Sequence, residues 1–166
     1  MSTSDLSLSQ DFDRVKDALG KISRRIGLVG QMMTDDVPSP QDAVLVALQE
    51  IRRDVTLSRI AVSRSLSVAS KRAGGGTRVE DIFTAVSRQV GQAIDGMLSN
   101  REKTVQENFV FVQGLQQGVE RILTNAQRTG GLKRLSDQEI ALIQSQAGNY
   151  AVGPDEDGRH PSPYAQ

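Results

Sequence analysis

Apolar residues recur at alternating steps of four and three along most of this 166-residue chain. The first such run extends from Leu8 to Met33, and comparable runs follow after residues 40, 78 and 104. This spacing places apolar side chains on one stripe of an α-helix, and the stripe must be covered by another helix. The pattern therefore predicts an all-α protein, built as an elongated antiparallel bundle of coiled-coil-like helical hairpins.

The apolar composition fits narrow helix seams better than a thick globular core. Hydrophobic residues make up 37% of the chain but aromatic residues only 4%, so aliphatic side chains supply most of the apolar surface. A chain of this length is sufficient for one domain with its own core and short for two. We expect one structural unit with loose ends.

Prolines and capping patterns divide the chain into helices. Pro38 and Pro40 interrupt the first run, because proline cannot continue a helix. A Ser or Thr followed three residues later by Glu or Gln predicts helix starts at Ser7, Thr77 and Ser136. The expected organisation is a flexible N-terminus over residues 1–6, a single helical domain over 7–147 with helices at about 8–33, 40–72, 78–128 and 136–147, and a disordered tail over 148–166.

Two stretches leave alternatives open. Residues 58–78, SRIAVSRSLSVASKRAGGGTR, alternate as a strand would, but they also continue the helical seam that begins upstream. Because no Gly or Pro separates them from that seam, the pattern favours a helix. Residues 78–128 are interrupted by the polar stretch SNREKT, so they form either one long helix or two helices separated by a bend.

The residues that most enzymes and metal sites require are nearly absent. The chain has no cysteine, which excludes disulfides, thiolate catalysis and cysteine-rich zinc sites. Its only histidine, His160, lies beside Pro161 in the predicted tail, without a rigid scaffold. Asp35 and Asp36 form an acidic cluster on a predicted loop whose spacing does not match a calcium-binding loop. We therefore expect no enzyme activity, no cofactor and no metal site.

Local charge is the main indication of a binding function. Basic and acidic residues are balanced at 20 each, so any attraction to phosphate must come from a local cluster. Seven basic residues opposed only by Asp54 occupy residues 51–78, and they are the candidate phosphate-binding residues: Arg52, Arg53, Arg59, Arg64, Lys71, Arg72 and Arg78. No aromatic residue accompanies them to stack on bases, so the alternative is a solvated helix face.

The long apolar seams favour self-association over any other function. The positions expected to form a seam between copies of the chain are Phe12, Val15, Leu19, Ile22, Ile26, Val29, Val112, Leu115, Val119 and Ile122. We expect a non-enzymatic, oligomerising structural or assembly protein, a subunit or accessory factor of a larger phage, viral or bacterial particle, whose partner is itself or another helical protein.

Two alternatives to the assembly hypothesis stay open at the level of sequence. The first is a small nucleic-acid-binding module that uses the basic segment 52–78. The second is an amphipathic protein that binds a lipid surface, although tryptophan is absent. No run of about 18 apolar residues is present, so we expect no membrane span, and a location in the cytoplasm or within an assembled particle such as a virion.

Overall fold

A computed structural model describes residues 3–133 and 136–152 and contains six helices and no strand within those ranges. The prediction of an all-α protein is confirmed. The helices are α1 (Thr3–Thr34), α2 (Gln41–Ser65), α3 (Val68–Arg72), α4 (Gly75–Ser99), α5 (Phe109–Arg128) and α6 (Asp137–Val152).

The four long helices of residues 3–133 form an antiparallel bundle. In the order α1, α2, α4 and α5, each helix packs against the next, and α5 returns to pack against α1. The direction follows from paired contacts: on α1 and α2, Arg14 reaches Ser65 whereas Arg25 reaches Asp54. Because neighbouring helices alternate in direction, the loops and the short helix α3 are distributed between two opposite ends of the bundle.

The apolar seams predicted from the sequence line the interior of this bundle. Nine of the ten predicted seam residues are buried and Ile122 is partly buried against the same core. They were expected to join separate copies, but their neighbours are the seams of α2 and α4, which include Leu48, Ile51, Phe83 and Val90. Contact between folded copies through these side chains would therefore require the bundle to open, and the seam between copies stays a prediction.

The predicted helix over residues 78–128 is two helices, because polar groups between them form their own hydrogen bonds. Asn100 ends α4, and its side-chain amide donates to the Gly96 carbonyl at 3.0 Å. Thr104 and Glu107 then form a capping box, with 2.9 Å from the Thr104 amide to Glu107 Oε1 and 3.1 Å from the Glu107 amide to Thr104 Oγ1. The chain reverses here, and α5 packs antiparallel to α4.

The predicted helix over residues 40–72 also breaks, at Leu66 and Ser67. Leu66 has extended backbone angles, and Ser67 caps α3 by accepting from the Ser70 amide. Residues 58–78 are thus helical on both sides of this break, and the helical interpretation of the segment is confirmed. Gly74 then turns the chain with a φ of 83°, a value that glycine adopts readily.

Two of the three predicted capping boxes are wrong. Helix α1 begins at Thr3, so Ser7 lies inside it, and the predicted flexible residues 3–6 are helical. Helix α4 begins at Gly75, two residues before Thr77, and Glu80 pairs with an arginine of α2 instead of capping.

Helix α6 belongs to a second compact unit, separate from residues 3–133. Its predicted capping box is confirmed: the Ser136 amide donates to Glu139 Oε1 at 2.9 Å, and the Glu139 amide donates to Ser136 Oγ at 3.1 Å. The helix includes residues 148–152, which were predicted as tail. The predicted tail residues 153–166 lie outside the described residues.

Candidate functional site

A groove between α2 and α4 brings two of the candidate phosphate-binding residues together with a third arginine. Arg52 and Arg59 line it from α2, and Arg88 lines it from α4. Its volume is about 310 Å³. Arg53 is exposed but does not line the groove, because consecutive helical residues point about 100° apart.

The other candidate phosphate-binding residues lie towards the α3 end of the bundle. Arg64 in the last turn of α2, and Lys71 and Arg72 on α3, are exposed. Arg78 has a structural role: its Nε donates to the Gly131 carbonyl at 3.0 Å and its Nη2 donates to Thr129 Oγ1 at 2.8 Å. These bonds fasten the start of α4 to the residues that follow α5, and they engage two of the three guanidinium nitrogens of Arg78.

The end of the bundle opposite α3 is acidic, and we call it the acidic end. It comprises residues 34–42 and 95–109, whose six acidic and two basic side chains give a net charge of minus four: Asp35, Asp36, Asp42, Asp95, Glu102 and Glu107 against Arg101 and Lys103. Its most exposed large apolar side chain is Val37, which is 87% exposed and directly follows Asp35 and Asp36. Val46, Leu98 and Val110 are also exposed near this end.

The loops of the acidic end are held in place by a buried asparagine. Asn108 is 1% exposed, and its Nδ2 donates to Gln41 Oε1 at 3.0 Å and to the Asn100 carbonyl at 3.1 Å. Gln41 in turn donates to the Lys103 carbonyl at 2.7 Å. Backbone and side-chain hydrogen bonds from Thr104 hold the pKa of Glu107 below its usual value, so this carboxylate keeps its charge in mildly acidic solution.

The opposite end is basic, and we call it the basic end. It comprises residues 3–14, 64–81 and 126–133, whose seven basic side chains outnumber five acidic ones: Arg14, Arg64, Lys71, Arg72, Arg78, Arg128 and Lys133 against Asp5, Asp11, Asp13, Glu80 and Asp81. Helix α3 presents Val68, Lys71 and Arg72 to solvent, and Val68 is 64% exposed. Positions three and four residues apart share one face of a helix, so these three side chains form a single patch.

A buried carboxylate fixes α3 to the bundle. Asp11 of α1 is 3% exposed, and its Oδ2 accepts from Ser70 Oγ at 2.6 Å and from the Ser67 amide at 2.8 Å. Arg14 Nη1 lies 3.7 Å from the other carboxylate oxygen. Burial raises the pKa of Asp11, but the hydrogen bonds from Ser70 and Ser67 and the nearby Arg14 outweigh it, and the net pKa is lowered.

Asp11→Asn is expected to destabilise the protein in a pH-dependent way. At pH 7 the loss should be about 1.5–3 kcal/mol, because hydrogen bonds to a charged group are lost. A lowered folded-state pKa means that the stabilisation is complete above the unfolded value of 3.8 and is lost as the pH falls through the folded-state pKa. Urea unfolding of the wild-type and variant proteins at pH 7 and at a pH well below 3.8 measures this difference.

The matched control for this prediction is Asp13→Asn, since Asp13 is exposed on the same helix. It should change the free energy of unfolding by less than about 0.5 kcal/mol at both pH values. A loss for Asp11→Asn that is equally large at both pH values would contradict the assignment of the stabilisation to the charged carboxylate.

No group of three or more His, Cys, Asp or Glu side chains comes together as a metal site in the part of the chain that the structure describes. Within the same residues, no helix combines the length and the hydropathy required to span a membrane. Comparison of the chain with protein-family models, curated proteins and solved structures gives no match.

Proposed function

We propose that this protein is a non-enzymatic assembly module whose bundles associate head to tail, with the acidic end of one copy against the basic end of the next. The observation that carries the proposal is the complementarity of two patches. Asp35, Asp36 and Val37 form one, and Val68, Lys71 and Arg72 form the other. Each patch has two like charges and one exposed valine.

The charges on the two patches favour this arrangement over its alternatives. Two acidic ends, or two basic ends, would bring like charges together, whereas head-to-tail contact brings opposite charges together. Asp35, Asp36, Lys71 and Arg72 have no ion-pair partner among the described residues of their own chain. Their charges are therefore available to a second copy.

The same geometry predicts an open series of copies. A head-to-tail contact uses different surfaces on the two partners, so each added copy leaves one acidic and one basic end unoccupied. The ends are small and polar, which is typical of weak contacts. We expect a dissociation constant between about 1 µM and 1 mM, and a strong dependence on salt.

Sedimentation velocity of the full chain tests this proposal. At about 0.05 M salt the weight-average mass should rise with protein concentration beyond that of a dimer, without a plateau. At about 1 M salt, where the screening length falls to about 3 Å, the mass should return towards the monomer value, which is 18.0 kDa. A constant monomer mass at low salt, or a plateau at the dimer, would contradict head-to-tail assembly.

Nucleic-acid binding receives less support from the positions of the basic residues. Arg52 and Arg59 line the α2/α4 groove, Lys71 and Arg72 lie on α3, and Arg78 is engaged with α5. The basic residues are therefore divided among the groove, α3 and the contact with the residues after α5, rather than gathered on one surface. No contact among the described residues favours binding to a lipid surface over head-to-tail assembly or nucleic-acid binding.

A further inference from the structure

The α2/α4 groove concentrates positive charge from two helices that are distant in sequence. Arg52 and Arg59 are two turns apart on α2, a separation of roughly 10 Å, and Arg88 lies on the opposite wall. Hydroxyl and amide groups complete the polar lining, namely those of Thr56, Thr84, Ser87 and Gln92. Guanidinium groups with neighbouring hydroxyl donors are the side chains that proteins use to bind phosphate oxygens.

Two of the three arginines have no anionic partner. Neither Arg52 nor Arg88 forms an ion pair among the described residues, and both are exposed. The residue that faces Arg52 from α4 is Gly91, which has no side chain. A Cβ built at Gly91 would lie 3.9 Å from the guanidinium carbon of Arg52. The charge of Arg52 is therefore presented at a site where α4 carries no side chain.

The third arginine is held in position by an acidic residue at one limit of the groove. Arg59 Nη1 donates to Glu80 Oε2 at 2.7 Å. At the other limit, Asp95 lines the groove near Gly91 and Gln92. A long polyanion lying along the groove would have to pass both Asp95 and Glu80, whereas a compact anion beside Arg52 and Arg88 does not have to pass either carboxylate.

The floor of the groove is apolar. Val55 and Phe83 lie beneath the polar lining and are 1% and 0% exposed, respectively. An apolar floor lowers the local dielectric and strengthens the attraction between an anion and the guanidinium groups. At about 310 Å³ the groove is of a size for a small ligand.

We infer that the α2/α4 groove is a binding site for the phosphate group of a small phosphorylated molecule, held by Arg52 and Arg88 with Arg59 beside them. Arg52 and Arg88 supply the unpaired charge, and Thr84 and Ser87 supply neutral donors from α4. Arg52, Arg59 and Arg88 belong to neither of the two contact patches, so phosphate binding and head-to-tail assembly can be tested separately.

Titration of the ¹⁵N-labelled full chain tests this site, with inorganic phosphate and adenosine monophosphate as probes at constant ionic strength. Amide shifts should concentrate at residues 52–59 and 84–95, and the affinity for either probe should fall about tenfold or more in Arg52→Gln/Arg88→Gln. Binding of both probes identifies the phosphate as the recognised group, and binding of adenosine monophosphate alone identifies a phosphomonoester.

A charge-matched variant provides the control. Arg53→Gln/Arg121→Gln removes two exposed arginines that do not line the groove, and it should leave the affinity unchanged. Circular dichroism should show the same helicity in both variants, because all four side chains lie on the surface. The inference is overturned if neither probe binds, if both variants lose affinity equally, or if a single-stranded oligonucleotide binds with shifts that extend beyond Glu80 and Asp95.

Discussion

Ile26→Ala is expected to lose about 2–5 kcal/mol of the free energy of unfolding, the range for removing a buried isoleucine side chain from a packed core. Ile26 is 0% exposed and belongs to the core shared by the four long helices. The cost comes from lost apolar burial and from the cavity left behind, because the surrounding helices collapse only partly into the space. Urea unfolding monitored by circular dichroism measures it.

Leu28→Ala is the matched control, since Leu28 lies two residues away on the same helix and is 61% exposed. The Leu28→Ala variant should lose no more than about 0.5 kcal/mol of the free energy of unfolding. At about 1 M salt, where head-to-tail contacts are screened, the unfolding midpoint of the wild-type protein should not depend on protein concentration, because the seam is completed within one chain. A midpoint that rises with protein concentration at this salt would show instead that the seams are completed between chains.

Reversing the charges of one end is expected to abolish association at low salt. Asp35→Lys/Asp36→Lys gives a molecule whose two ends are both basic at the contact patches, so head-to-tail contact becomes repulsive. Like charges brought together cost several kcal/mol, which raises a micromolar dissociation constant by two orders of magnitude or more, to about 0.1 mM or above. Sedimentation velocity should then give a monomer.

A control for this reversal makes the same change of net charge elsewhere. Asp17 and Glu120 are exposed on α1 and α5, away from both patches, and Asp17→Lys/Glu120→Lys should associate as the wild-type protein does. Equal loss of association in the two variants would attribute the effect to total charge and would contradict an end-to-end contact.

The buried positions of the long helices follow from the sequence, but their partners do not. Alternating steps of four and three identify one face of a helix, and Val15, Leu19 and Ile26 are buried as that rule requires. A face does not specify which helix covers it. The return of α5 to α1, which closes the bundle around these side chains, depends on the bend at residues 100–108.

The signal for that bend is present in the sequence as TVQE, residues 104–107. Its Thr-to-Glu spacing is that of a capping box, and the structure forms it. The same spacing at Thr77 and Glu80 forms no cap, because Glu80 pairs with Arg59 instead. Whether a capping pattern forms its hydrogen bonds depends on which tertiary partners its side chains can reach. The local sequence does not specify those partners.

The candidate binding surfaces depend still more on tertiary placement. The sequence identifies Arg52 and Arg59 by local density, yet Arg88 lies on another helix and outside the basic segment. From the sequence alone, Asp35 and Asp36 indicate only a solvated acidic cluster. The complementary basic patch on α3 is recognisable only once the bundle places the two patches at opposite ends.

Mixing two charge-reversed variants tests head-to-tail assembly most directly. Asp35→Lys/Asp36→Lys has two basic patches, and Lys71→Glu/Arg72→Glu has two acidic patches, so each should sediment as a monomer alone at low salt. In an equimolar mixture every contact between the two variants joins opposite charges, and we expect association to return. A mixture that stays monomeric, or a single variant that associates as the wild-type protein does, would contradict it.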